Sequence, residues 1–124
     1  MAAMTFDDYN AFCAALPHAN HVVQWRGAHV WKVDTKVFAI GRFDAGAVER
    51  ITFKCSRMSY DILKEQPGCI PAPHLASRGM PWIQRVTDES MDDEGLRAYL
   101  AESHRLAAAA LTKKRRRELG FEPG

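Results

Sequence analysis

No apolar run in this 124-residue chain approaches the roughly 20 residues needed to cross a bilayer. Met1-Ala2-Ala3-Met4 supplies neither the basic region nor the apolar core of an export signal. No membrane partner is expected, and the expected location is cytoplasmic. Cysteine is scarce: Cys13, Cys55 and Cys69 are odd in number and widely spaced, which argues against a disulfide framework and suits reduced, buried thiols. Catalytic signatures are missing as well. The chain has no Gly-x-Ser-x-Gly turn, no phosphate-cradling glycine loop and no dinucleotide fingerprint.

The residues that could carry chemistry fit simpler roles. Cys69 and His74 are close in sequence, but nothing around them resembles a cysteine-hydrolase signature, so both read as structural. His18 and His21 lie three apart with no second pair to complete a zinc site. Asp88, Glu89, Asp92, Asp93 and Glu94 oppose the positive end of a helix dipole. No enzymatic activity, cofactor or metal is expected. An enzyme would need a concave pocket with convergent polar groups, sought first around His74, Cys69 and Trp82. Trp25, Trp31 and Trp82 read as core or edge anchors rather than stacking platforms.

Strong net charge is also lacking, at +2 overall, but the balance is uneven. Up to residue 112 the chain carries a slight acidic excess. Lys113, Lys114, Arg115, Arg116 and Arg117 then follow in a row, offset only by Glu118 and Glu122. This run has two readings. It could neutralise several phosphates of a nucleic acid, or it could favour a helix C-terminus and keep the tail soluble.

What is present is a pattern for one small α+β domain spanning 1–124. Thr5 and Asp8 form a variant capping box ahead of a helix that Pro17 stops. Strands are expected at 21–25, 29–34, 36–42 and 49–55, with a turn at Gly27, a two-residue Asp34-Thr35 hairpin loop and a longer loop over 43–48. That register puts Trp31, Phe38 and Ile40 on the core face and turns Lys32, Val37 and Ala39 outward; a longer loop with shifted register is the alternative. On the fourth strand Ile51, Phe53 and Cys55 face inward, while Arg50, Thr52 and Lys54 face outward. Ser56 caps a short helix ended by Pro67-Gly68, 69–74 is irregular, and 81–86 is a fifth strand at an edge or beginning with Pro81. Ser90 opens a last helix running to about Leu119, roughly 42 Å at 1.5 Å per residue, whose basic end should protrude. Asp93 with Arg97, and Glu102 with Arg105, are its expected ion pairs.

The ordered set Trp31-Lys32-Val33, Lys36-Val37-Phe38-Ala39, Ile51-Thr52-Phe53-Lys54, Pro67-Gly68-Cys69-Ile70-Pro71-Ala72-Pro73-His74-Leu75, Trp82, Glu102-Ser103-His104-Arg105-Leu106 and Leu111-Thr112-Lys113-Lys114 resembles the MmcQ/YjbR family of small bacterial proteins. The resemblance runs from Phe6 to Leu119. It implies a fold similar to the bacterial frataxin CyaY: one antiparallel sheet with helices packed on one face and a long C-terminal helix. It also implies that family's usual label, a DNA-binding protein with a double wing of β-hairpins. The wings would be the turns at Arg26-Gly27-Ala28 and Asp34-Thr35-Lys36, joined by the 43–48 loop. Asp34-Thr35 stands where members often carry glycines.

The expectation is a non-enzymatic protein that contacts DNA phosphates with weak sequence preference, through Arg26, Lys32, Lys36, Arg50, Lys54, Lys113, Lys114, Arg115, Arg116 and Arg117. The alternative is a protein-interaction module that docks a protein partner on the open sheet face.

Overall fold

The computed structural model describes residues 4–24, 27–44, 47–73, 75 and 79–121. Its elements are α1 (Phe6–Ala14), β1 (Ala19–Gln24), β2 (Ala28–Val33), β3 (Lys36–Asp44), β4 (Ala47–Lys54), α2 (Arg57–Leu63), β5 (Cys69–Pro71), β6 (Trp82–Arg85), α3 (Asp93–Ala109) and α4 (Lys113–Leu119). The six strands form one sheet in the order β1-β2-β3-β4-β6-β5, every pair antiparallel. Helices α1 and α3 cover one face. The expected fold class is the one observed, with α3 as the long helix near the C-terminal end.

Local chemistry sets the boundaries. Thr5 and Asp8 close the capping box of α1, each side chain bonding the other's backbone N–H at 3.1 Å. Ser56 caps α2 through the Ser59 N–H. The β2–β3 hairpin closes with Val33 opposite Lys36, and Asp34 takes φ 53, a left-handed conformation that aspartate tolerates.

Beyond the hairpin the register departs from simple alternation. Trp31 opposes Ala39 while Lys32 opposes Val37, so Phe38 is an extra residue on β3. This bulge reverses the parity of the strand. Phe38 and Ala39 are both buried against the helices, and Ile40 emerges on the open face, reversing the expectation for Ala39 and Ile40. Gly41 then falls on the helix side, where a Cβ would lie 2.7 Å from the Tyr9 ring. Tyr9 packs close there because that position has no side chain, and its hydroxyl donates to the His29 carbonyl at 3.0 Å. The strands also extend into the expected 43–48 loop from both sides, β3 as far as Asp44 and β4 from Ala47, which lie opposite each other.

Two further corrections concern the C-terminal half. The stretch 69–74 was expected to be irregular, yet Cys69–Pro71 is strand β5 and takes the sheet edge, so β6 is interior between β4 and β5. The last helix is not continuous to Leu119. Asp92, not Ser90, caps α3, and α3 ends at Ala109. After a turn through Ala110 and Leu111, Thr112 caps α4 by accepting from the Arg115 N–H at 3.1 Å. The chain then doubles back onto the body: Leu119 and Phe121 pack against the core, and the Phe121 ring meets His104 edge-on at 5.8 Å. The basic segment therefore does not protrude.

The core is Tyr9, Phe38, Phe53, Ile51, Ile83, Leu96 and Leu100 with their neighbours, all between sheet and helices. Ser103 of α3 donates to the Lys54 carbonyl, pinning the long helix to β4. Arg85 reaches from β6 under the start of α3, bonding the Met91 carbonyl at 2.9 Å and Asp93 at 3.0 Å. Asp93 thus pairs with Arg85 rather than with Arg97, whereas the expected Glu102–Arg105 pair forms at 2.6 Å.

Candidate anion-binding face

The face opposite the helices carries Lys32 from β2, Val37, Ile40 and Arg42 from β3, Arg50, Thr52 and Lys54 from β4, and Trp82 and Gln84 from β6. No described side chain on this face is a carboxylate. Ala72, Pro73 and Leu75, from the segment after β5, border it and turn part of the sheet into a cavity of about 560 Å³. Such a volume lies within the range typical of small-molecule sites.

The floor of the cavity is polar and ordered. Gln84 donates to the Thr52 hydroxyl at 3.1 Å, and its carbonyl oxygen accepts from the Arg50 guanidinium at 3.4 Å. Gln84 and Thr52 are buried although they face away from the helices. Val37, Ile40 and Leu75 form apolar walls. Arg42 and Arg50 are directly opposite each other across β3 and β4. Like charges in that position destabilise a sheet, and among the described residues neither is paired with a carboxylate. Trp82 is only 5% exposed, and its indole Nε1 has no hydrogen-bond partner, alone among buried side-chain polar atoms of the described residues.

Of the residues singled out by sequence, Lys32, Arg50 and Lys54 share this face. Lys36 is exposed beside the Asp34 turn, at the hairpin end. Arg26 of the first wing lies outside the described residues, as do Trp25 and His74, while Gly27 and Ala28 of that wing are described as the turn into β2. The basic run sits on the other layer, with α4. Arg115 bonds Asp34 at 2.9 Å and Glu118 at 3.2 Å. Arg116 donates to the carbonyls of Ala109 at 2.8 Å and Leu111 at 2.9 Å, satisfying groups left open where α3 ends. Lys113, Lys114 and Arg117 are exposed.

Sequence reading does not place Arg42 on the candidate face and assigns Trp82 an anchoring role. Arg42 was hidden by the Phe38 bulge, because simple alternation places it on the core side with Phe38. The detectable signal was an arginine on each arm of one hairpin, at 42 and 50.

Other reactive groups lie elsewhere. Cys69 pairs with Arg85 on the helix side, away from the cavity, and burial pushes its thiol up. Burial likewise raises Cys55 to about 11. Thiols held up in this way are poor nucleophiles. His21 and His29 stack on the helix side of β1 and β2 with ring nitrogens 2.9 Å apart, and burial followed by the neighbouring His21 lowers the pKa of His29. Among the described residues no three His, Cys, Asp or Glu side chains gather as a metal site. No helix among them is long and apolar enough to cross a membrane.

A family model described as YjbR matches residues 14–106. Protein DR2400 of Deinococcus radiodurans, which carries domain DUF419, has a similar structure: TM-score 0.81 and 24% identity over 94% of this chain and 88% of that one. A protein from Pseudomonas syringae is similar at TM-score 0.65 and 14% identity, covering 84% of this chain and 99% of that one. At those identities the two structures establish the fold alone. A comparison with curated proteins finds no match.

Proposed function

The chain belongs to the YjbR family, and from that premise we propose that it is a non-enzymatic protein that binds DNA through the phosphate backbone, using the open face of its sheet. One observation carries this reading. Lys32, Arg42, Arg50 and Lys54 stand on one surface that has no described carboxylate to offset them. Arg50 and Lys54, four residues apart on one strand, are about 13 Å from each other at 3.3 Å per residue. Phosphates recur every 3.4 Å of helix axis along one DNA strand, so the two can engage separate phosphates. Among the described residues no helix lies on this face to enter a groove and read base edges, hence weak sequence preference.

The 113–117 run is on the opposite layer and partly committed to internal bonds, so the open-face cations are the primary contacts. A protein partner on the same face is less favoured. It would want a joined apolar patch of several hundred Å², whereas the most exposed large apolar side chains, Met58 and Ile62, lie on α2.

Anisotropy of a labelled duplex, titrated at several salt concentrations, tests the proposal. Four phosphate contacts give a slope of log K against log salt of roughly −3.6, at about −0.9 each. Lys32→Ala with Lys54→Ala should flatten the slope by about 1.8. Absence of binding at low salt, or an unchanged slope in the double variant, overturns the reading.

A further inference from the structure

We infer that the open-face cavity is a binding site for a small organic oxyanion, a flat apolar body ending in a phosphate or a carboxylate. The inference goes beyond backbone binding to DNA and does not depend on it.

Three independent features converge on that chemistry. The first is the charge at the mouth. Arg42 and Arg50 oppose each other with no carboxylate partner among the described residues, an arrangement unfavourable in the empty protein and relieved by one anion between them. Two guanidinium forks suit an oxyanion, which can accept from both.

The second is the fixed polar floor. Arg50 is oriented by Gln84, and Gln84 in turn by Thr52, so one of the two arginines is held in place before a ligand arrives. Gln84 is a positioning residue in this scheme. The third is the wall. Trp82 is buried against the cavity with an indole N–H that no atom of the described residues accepts. A buried donor without a partner is costly, and a ligand oxygen supplies the acceptor. Val37, Ile40 and Leu75 leave the remaining surface apolar, which selects a flat hydrocarbon body over a free inorganic ion.

The test uses the full chain labelled with ¹⁵N, following the indole resonance that disappears in Trp82→Phe. Three probes share one ring system: 1-naphthyl phosphate, 1-naphthoate and the neutral 1-naphthol. At least one anion should move the Trp82 resonance saturably below about 10 mM, with naphthol binding at least roughly tenfold more weakly. The stronger of the two anions identifies the head group. Arg42→Gln with Arg50→Gln should weaken the preferred anion by roughly tenfold or more while the remaining amide spectrum stays folded. Gln84→Ala, with both arginines intact, should weaken it less.

No saturable shift with either anion overturns the inference, as does naphthol binding equally well or a double variant that binds normally. Duplex binding is scored separately through Lys32 and Lys54. A protein that binds duplex but not naphthyl anions sinks this inference alone, and one that binds the anions but not duplex sinks only the DNA reading.

Discussion

Arg42 and Arg50 on the open face, and Arg115 and Arg116 on α4, carry the same guanidinium group and are used in opposite ways. The α4 pair is satisfied from within. Arg115 holds Asp34 and Glu118, and Arg116 holds the carbonyls at the end of α3, so their charge fastens the C-terminal helix to the body. The open-face pair is set against itself across two strands, with a neutral glutamine as the one hydrogen-bond partner of the Arg50 side chain among the described residues. A run of five cations is the more conspicuous feature in sequence, yet folding commits two of its arginines to internal partners, whereas Arg42 and Arg50 meet no carboxylate among the described residues. Local charge density in a sequence says little about availability; the partners brought by folding decide it.

The largest expected effect lies on the α4 side. Removing residues 113–124 strips Leu119 and Phe121 from the core and breaks both arginine anchors. Partly buried side chains of that size, with the lost hydrogen bonds, should cost about 3 kcal/mol in a urea titration. A truncated chain of unchanged stability would show that α4 is merely appended, and the contrast between the two arginine pairs would collapse.

The next effect is on binding. Arg42→Ala with Arg50→Ala should lower duplex affinity at moderate salt by roughly tenfold or more, from two lost phosphate contacts. Folding stability should change little, because relief of the like-charge opposition offsets loss of the Arg50–Gln84 hydrogen bond. Lys113→Ala with Lys114→Ala and Arg117→Ala removes more charge from exposed sites, yet should change affinity less than the arginine pair does. If the triple variant proves the weaker binder, DNA approaches from the α4 side and the open-face assignment is wrong.

How far the sequence revealed this arrangement depended on whether the controlling interaction was local. The Thr5–Asp8 box, the Ser56 cap and the Asp34-Thr35 hairpin involve neighbours a few residues apart, and each was legible. The β4 faces were legible because Arg50 to Cys55 alternates without interruption. The β3 faces were not, since the Phe38 bulge has no signature in an apolar run where Val37, Phe38, Ala39 and Ile40 all suit burial. The α3–α4 break was masked by Ala110 and Leu111, which continue the apolar periodicity while Thr112 turns the chain. Strand β5 is three residues long and ends in proline, too short for any periodicity. The cavity joins β3, β4, β6 and the segment after β5, so only the assembled sheet brings Arg42 and Trp82 to one site.

The smallest effect sharpens the contrast most cleanly, because it depends on protonation alone. Hydrogen bonding by Arg115, then the charge of that guanidinium, holds the Asp34 carboxyl below its usual range. A carboxylate depressed on folding stabilises the native state above its unfolded pKa, and that contribution is lost as pH falls through the lowered folded value. Asp34→Asn isolates the charge, since asparagine is equally at ease at φ 53. The wild-type advantage over this variant should be small and flat near neutrality, as for exposed pairs generally. It should vanish in acid below the ordinary carboxylate range, and shrink with added salt at neutral pH. Urea midpoints measured across pH for both proteins would show it. The stability difference between wild type and the Arg42, Arg50 double variant should show no such acid dependence, because no carboxylate among the described residues answers those arginines. An acid-dependent difference there would reveal a carboxylate partner and remove the vacancy on which the anion site rests.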